Sequence, residues 1–184
     1  MTSKLFLSAL LCGGMAFAQE KMIDVQRSTI TIHVLKAGLL SALGHEHWVS
    51  APIASGTYDD GAAPRVEFKV EAAKMQVKPD PKVNAKDEAS IQKDMQEMTL
   101  ESAKFPEIRF RSTSIVKSGA QWKVAGTLTL HGVSKTVNLD VRKTGDAYAG
   151  QTKIKQTEFG IKPATAAGGS IKVKDEIEIA FEIR

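Results

Sequence analysis

Two of the four histidines in this 184-residue chain, His45 and His47, stand one residue apart in the stretch Leu43-Gly44-His45-Glu46-His47-Trp48. In an extended backbone side chains alternate, so both imidazoles point to one side. Such a pair supplies half of a metal site, or two polar groups at the mouth of a cavity. Zinc takes four protein ligands, or three beside an open position. A metal here therefore requires His33, His131, Glu46 or Asp175 to converge from elsewhere, and the sequence holds no His-Glu-x-x-His helix. We expect neither a metal nor a catalytic residue. His45, His47, Trp48 and Asp175 are instead read as groups at a cavity mouth. The alternative for the histidine stretch is a solvated polar turn with Trp48 folded onto the rim, and for Asp175 a bulge or strand end.

The ends and the composition narrow the class. At the N-terminus Lys4 precedes an apolar run from Leu5 to Leu11, and Ala16-Phe17-Ala18 places small residues at the cleavage spacing. These are the features of a secretory signal peptide over residues 1–18, cut before Gln19. The run is far short of the roughly 20 residues of a spanning helix, and no later run is long enough either. Cys12 falls in the discarded part, so the mature chain 19–184 has no cysteine, no disulfide and no thiol nucleophile. That suits a periplasmic location, where one domain of this size encloses a core without covalent staples. Without Lys4 the 25 basic residues become 24, against 21 acidic ones, and the charges are interspersed. Nothing forms the concentrated basic stripe of a nucleic-acid binder.

Alternation then dominates. Ile30, Ile32 and Val34 share a face opposite Thr29, Thr31 and His33, and Val66, Phe68 and Val70 alternate with Glu67, Lys69 and Glu71. Ile108 and Phe110 oppose Arg109 and Arg111, and Trp122, Val124, Leu128 and Leu130 fall on one side, as do Val137, Leu139 and Val141. The longest run, 170–184, sets Ile171, Val173, Ile177, Ile179, Phe181 and Ile183 on one face, with Asp175 as the exception. With weaker runs near 46–58 and 147–161 these are about eight half-buried strands. Ser118-Gly119 and Thr144-Gly145-Asp146 mark hairpin turns. Only Asp87 to Ser102 changes period: Ile91, Met95 and Met98 are spaced by four and three, which predicts one short amphipathic helix with an acidic start. Met95 and Met98 are placed on its packed face, where they either cover one end of a cavity or pack on the sheet. The fold class is thus all-β: an antiparallel eight-stranded, lipocalin-like β-barrel with one short amphipathic helix, wide enough for one small ligand.

Residues 126–141, Gly-Thr-Leu-Thr-Leu-His-Gly-Val-Ser-Lys-Thr-Val-Asn-Leu-Asp-Val, resemble the signature hairpin of the YceI-like family. Upstream, Met98 to Ile115 is similar to that family's helix end, its Lys-aromatic-Pro turn and the strand after it. Thr157-Glu158-Phe159-Gly160-Ile161-Lys162 matches a late family element. The resemblance runs from about Ser28 to the C-terminus. It implies an exported lipocalin-like barrel whose apolar tunnel binds an isoprenoid or similar amphiphilic lipid, such as a prenyl quinone or a polyprenyl phosphate. It also implies frequent pairing into a homodimer, and neither a reaction nor a cofactor. On that basis the tunnel-lining candidates are Phe68, Phe110, Val124, Leu128, Leu139, Ile154, Phe159, Ile177, Ile179 and Phe181. His45, His47, Trp48 and Asp175 then become head-group candidates. Two histidines before the second strand depart from the common family pattern. The competing functional reading is a metal-dependent enzyme or redox accessory built on His45 and His47.

Overall fold

The structure, a computed structural model, describes residues 20–37, 46–166 and 171–184. The leader assigned to residues 1–18, and His45 of the histidine pair, lie outside the described residues. In chain order the strands are β1 (Lys21–Met22), β2 (Thr29–Val34), β3 (Lys36–Ala37), β4 (His47–Ser50), β5 (Ile53–Asp59), β6 (Arg65–Glu71), β7 (Gln76–Val77), β8 (Glu107–Ser118), β9 (Gln121–Leu130), β10 (Val133–Thr144), β11 (Ala147–Lys155), β12 (Thr165–Ala166), β13 (Ile171–Val173) and β14 (Glu176–Ile183). Helix α1 (Ala85–Asp94) stands between β7 and β8.

Among the described residues eight strands have six residues or more, and they are the eight that alternation marks: β2, β5, β6, β8, β9, β10, β11 and β14. They pair antiparallel in the order β5-β6-β8-β9-β10-β11-β14-β2, with β1 added beyond β5 and β4 and β7 beyond β2. The sheet curls strongly into a half-barrel. A continuous ladder does not close it. Instead Ala51 N donates to Ile30 O at 3.0 Å, Ile23 N to Gly56 O at 2.9 Å and Asp24 N to Arg184 O at 2.7 Å, so the N-terminal segment and the β4–β5 corner bridge the seam.

Register explains the curl and the inward face. Paired residues share a face of the sheet, and Ile30, Phe181, Gly150, Val141 and Trp122 form one such row across β2, β14, β11, β10 and β9. In β8 a bulge between Ser112 and Ser114 shifts the parity, so Ile108 and Phe110 face inward before it and Ile115 after it. Ser112 Oγ accepts the Val66 N–H at 2.9 Å there. The bulge bends β8, as curvature in a half-barrel requires.

Two sequence expectations change. The long C-terminal run does not stay in one strand: it breaks at Lys174–Asp175, and β13 joins β3 and β12 in a separate three-stranded sheet. Lys174 N donates to Leu35 O at 2.7 Å and Gln156 N to Asp175 O at 2.9 Å, drawing the backbone away from the barrel ladder at this point. The helix starts at Ala85, two residues before the Asp87 read from the period, with Asn84 Oδ1 accepting Asp87 N at 3.0 Å as an N-cap. It ends in a π turn over Met95–Thr99. The extra residue per turn rotates the packed face, so Met95, Thr99 and Leu100 face the barrel while Met98 stays 74% exposed. Gln92 and Gln96 pin the helix to the sheet end. Gln92 Nε2 and Gln96 Nε2 both donate to Met75 O, at 3.0 Å each, and Gln92 Oε1 accepts Val77 N at 2.8 Å.

Candidate binding cavity

The inward rows do not meet in the middle of the barrel. They leave a cavity of about 460 Å³, walled by apolar side chains from all eight long strands and from the helix end. This volume lies within the range of small-molecule sites. Nine of the ten lining candidates border it: Phe68, Phe110, Val124, Leu128, Leu139, Ile154, Ile177, Ile179 and Phe181.

Phe159 does not border it. The chain leaves β11 at Lys155 and winds into a 3₁₀ turn, Gln156–Phe159, ended by Gly160 at φ 72°. Phe159, only 1% exposed, packs behind Leu130, Ile154 and Ile161 and backs the wall that those three present to the cavity.

Glycines keep the interior open. A Cβ on Gly150 would lie 2.6 Å from Phe181 Cζ, and one on Gly126 would run into the Phe110 ring. Each phenyl ring therefore occupies the space above a glycine of a neighbouring strand. This is the close approach that a missing side chain permits.

Polar groups gather at one end. Asp59 and Arg65, which end β5 and begin β6, Asp60, Gly61 and Pro64 of the turn between them, and Lys117, near the end of β8, border the cavity there. The side chains of Asp60 and Arg65 are partly open to solvent. Three inward rings meet at this end, with Tyr58 and Tyr148 at 5.9 Å between centroids and Trp122 and Tyr148 at 5.6 Å, both edge-on. The Tyr148 hydroxyl donates to Asp60 Oδ2 at 3.0 Å and accepts from Lys143 Nζ at 3.2 Å, while Lys21 Nζ donates to Asp60 Oδ1 at 2.7 Å. The Lys21 hydrogen bond holds the Asp60 carboxyl below the usual carboxylate range, and burial pushes the Tyr148 phenol up, so it remains a donor.

The described mouth groups read from the sequence, His47, Trp48 and Asp175, lie elsewhere. Trp48 pairs with His33 in register, and the face of β2 that carries His33 is the outer one. The two rings stack at 4.0 Å with 1° between their planes, and Trp48 is 46% exposed. His47 lies opposite Val34 at the start of β4 and does not border the cavity. Asp175 does not border it either: its carboxylate accepts Thr157 N at 2.8 Å and Thr157 Oγ1 at 2.7 Å, fastening the 3₁₀ turn that carries Phe159. Those bonds, the hydroxyl's first, hold the Asp175 carboxyl below its ordinary range.

Of the four groups suggested as metal ligands, His33 and Glu46 come together, and His131 and Asp175 do not join them. His33 lies between Glu46 (Nε2 at 3.0 Å) and Glu178 (Nδ1 at 3.4 Å), on opposite edges of its ring. His131 contacts Glu101 and Phe105 instead. Among the described residues no three His, Cys, Asp or Glu side chains come together to hold a metal ion. No helix among the described residues is long and apolar enough to cross a membrane.

Sequence reasoning found the wall and missed the polar end. Tyr148 shares its parity with Gly150, Thr152 and Ile154, so the alternation in β11 was the available signal. Nothing in sequence ties Lys21 or Asp60 to it.

Comparison with known proteins places this geometry. The model of the YceI-like domain matches residues 22–184. A UPF0312 protein of Yersinia pestis (strain Pestoides F) is 38% identical over 76 residues, which cover 41% of this chain and 36% of that protein's length. Protein YceI of Escherichia coli O157:H7 is 38% identical over 73 residues, covering 34% of this chain and 38% of its own. Among solved structures, Burkholderia cenocepacia BcnA superposes with a TM-score of 0.59 at 18% identity, over 88% of this chain and 98% of that one. A polyisoprenoid binding domain from Saccharophagus degradans does so with a TM-score of 0.59 at 14% identity, over 88% and 95%. At these identities the structures speak for the fold, and the domain match over nearly all the described chain speaks for the family: the chain belongs to the YceI-like family.

Proposed function

We propose that the protein is an exported binding and carrier protein that holds the chain of an isoprenoid or similar amphiphilic lipid in the barrel cavity and performs no chemistry on it. The observation that carries this reading is the cavity itself, apolar along its walls with its charged groups at one end. Each methylene moved from water into such a space contributes about 0.8 kcal/mol, or roughly 4 kcal/mol per five-carbon isoprene unit before ordering costs. A long hydrocarbon therefore binds without directional contacts, and the few polar groups select the head. The polyisoprenoid binding domain from Saccharophagus degradans, which shares the fold, supports the same class of ligand: a prenyl quinone or a polyprenyl phosphate.

Native mass spectra of the full chain, expressed with its leader and purified from the periplasm, test this. The expected result is a retained species of several hundred daltons or more that fragments as an isoprenoid. The same spectra read whether the protein forms a homodimer. An empty protein that also refuses added prenyl lipids overturns the reading. So does a stoichiometric metal that disappears when His45 and His47 are replaced, which would establish a metal-dependent activity instead.

A further inference from the structure

The rings at the polar end of the cavity come from strands that are not neighbours in the sheet. Between β5, which carries Tyr58, and β9, which carries Trp122, stand β6 and β8; between β9 and β11, which carries Tyr148, stands β10. Rings from three separated positions on a curled wall meet here at 5.9 and 5.6 Å, at the end of the cavity that carries its charged groups. On the inner side Tyr148 and Trp122 rest against the buried cluster of Phe110, Val124 and Val141. On the outer side are Asp60, Arg65 and Lys117, which meet solvent. Tyr148 is thus the one ring that touches both of the others.

Its hydroxyl is held by groups from two more segments. Asp60 accepts from it at 3.0 Å and belongs to the β5–β6 turn, and Lys143 donates to it at 3.2 Å from the far end of β10. Asp60 is in turn held at 2.7 Å by Lys21 of β1, the strand that bridges the seam. Both partners of the hydroxyl are partly exposed, with side-chain accessibilities of 31% for Asp60 and 43% for Lys143. Water replaces such bonds at little net cost once they break. The contact is therefore strong enough to close and weak enough to open. A tyrosine turning about two side-chain bonds is a compact moving part.

Resting on the carrier reading above, we propose that Tyr148 is the moving leaf of a gate at the polar end of the cavity, latched shut by Asp60 and Lys143, and that this latch sets the rate at which a lipid chain enters and leaves. Opening breaks two hydrogen bonds and two ring contacts and lifts the Tyr148 ring off the Phe110, Val124 and Val141 cluster, while the backbone of the wall stays in place.

Stopped-flow fluorescence with all-trans-retinol as the probe tests the gate on the full mature chain. Tyr148→Phe keeps the ring and removes the latch. Entry and release are expected to rise in step by about tenfold, the net effect of losing both partly exposed hydrogen bonds from the closed state alone. Lys143→Met, at a residue outside the cavity wall, is expected to raise both rates by a smaller factor. Release that rises without entry marks the hydroxyl as a ligand contact and overturns the gate. Retinol uptake with unaltered rates in Tyr148→Phe overturns the gate alone and leaves the carrier reading standing. No retinol uptake by the unsubstituted protein, with prenyl lipids also refused, removes the carrier reading and the gate with it.

Discussion

His131 Nε2 lies 2.7 Å from Glu101 Oε2, and both residues hold a positive φ, 52° and 44°, the two non-glycine residues to do so among those described. His131 and Gly132, at φ 74°, form the two-residue turn between β9 and β10, with the pair of positive φ values that a type I′ hairpin needs. Asparagine is the usual non-glycine residue there. The imidazole offsets the strain by packing on Phe105, 4.1 Å between centroids, and by reaching Glu101, just past the Leu100 cap of the π turn. One contact thus ties the signature hairpin to the end of the helix segment.

His131→Asn is accordingly expected to fold with the same turn and to lose about 1 kcal/mol, the net worth of one hydrogen bond less what the easier φ returns. His131→Val adds a β-branched side chain at positive φ and is expected to lose about 2–3 kcal/mol. Urea unfolding of both variants measures the difference. Equal losses would mean that the turn geometry carries no strain.

Much of this architecture was legible because alternation reports the face of a strand directly. Ile30, Phe68, Val124 and Ile179 could be assigned inward without knowing any partner, and they line the cavity. Assignments that depend on register were not legible. Trp48 faces outward because it pairs with His33, and no local pattern discloses that pairing. Phe159 has the right composition for a strand, yet the backbone there coils, and Asp175 holds it through Thr157, 18 residues earlier in the chain. The Asp60–Tyr148 contact joins positions 88 residues apart, so the polar end was invisible until the strands were placed.

Asp175 makes the 3₁₀ turn depend on pH. Its carboxyl titrates below its ordinary value because the charged form accepts two bonds from Thr157. A group depressed in the folded state binds fewer protons there than in the unfolded chain. Its contribution is fully present above the ordinary carboxylate range and is lost as pH falls through the depressed folded value. Asp175→Asn is expected to lower the thermal midpoint at neutral pH and to flatten the acid limb of the stability profile. Parallel profiles for the two proteins, offset by a constant, would show that the charge of Asp175 is not involved.

Gly150→Ala tests how the cavity is kept open. The added methyl arrives 2.6 Å from Phe181 Cζ and 2.7 Å from the backbone oxygen of Asp140, so the ring must move, and the space open to it is the cavity. Overpacking of this kind costs about 1–3 kcal/mol. The expected result is a moderately destabilised barrel that takes up a shorter prenyl chain than the unsubstituted protein. Calorimetric unfolding and a titration series of prenols of increasing length read the two effects separately. Unaltered length selection would place the ring's new position outside the lipid path.

Replacing the outer pair separates the cavity from the histidine stretch that first drew attention. Trp48 and His33 stack on the outside of the sheet, and neither they nor His47 border the cavity. Trp48→Ala removes an exposed ring that covers His33, whose side chain is only 15% exposed and lies between Glu46 and Glu178. The expected cost is about 1 kcal/mol from lost stacking, with prenyl-lipid uptake the same as in the unsubstituted protein. His47→Ala, alone or with His45→Ala, is expected to leave uptake the same as well. A loss of uptake in the histidine variants, with the unfolding midpoint retained, would move the head-group contact from the Asp60–Tyr148 end to this edge of the barrel.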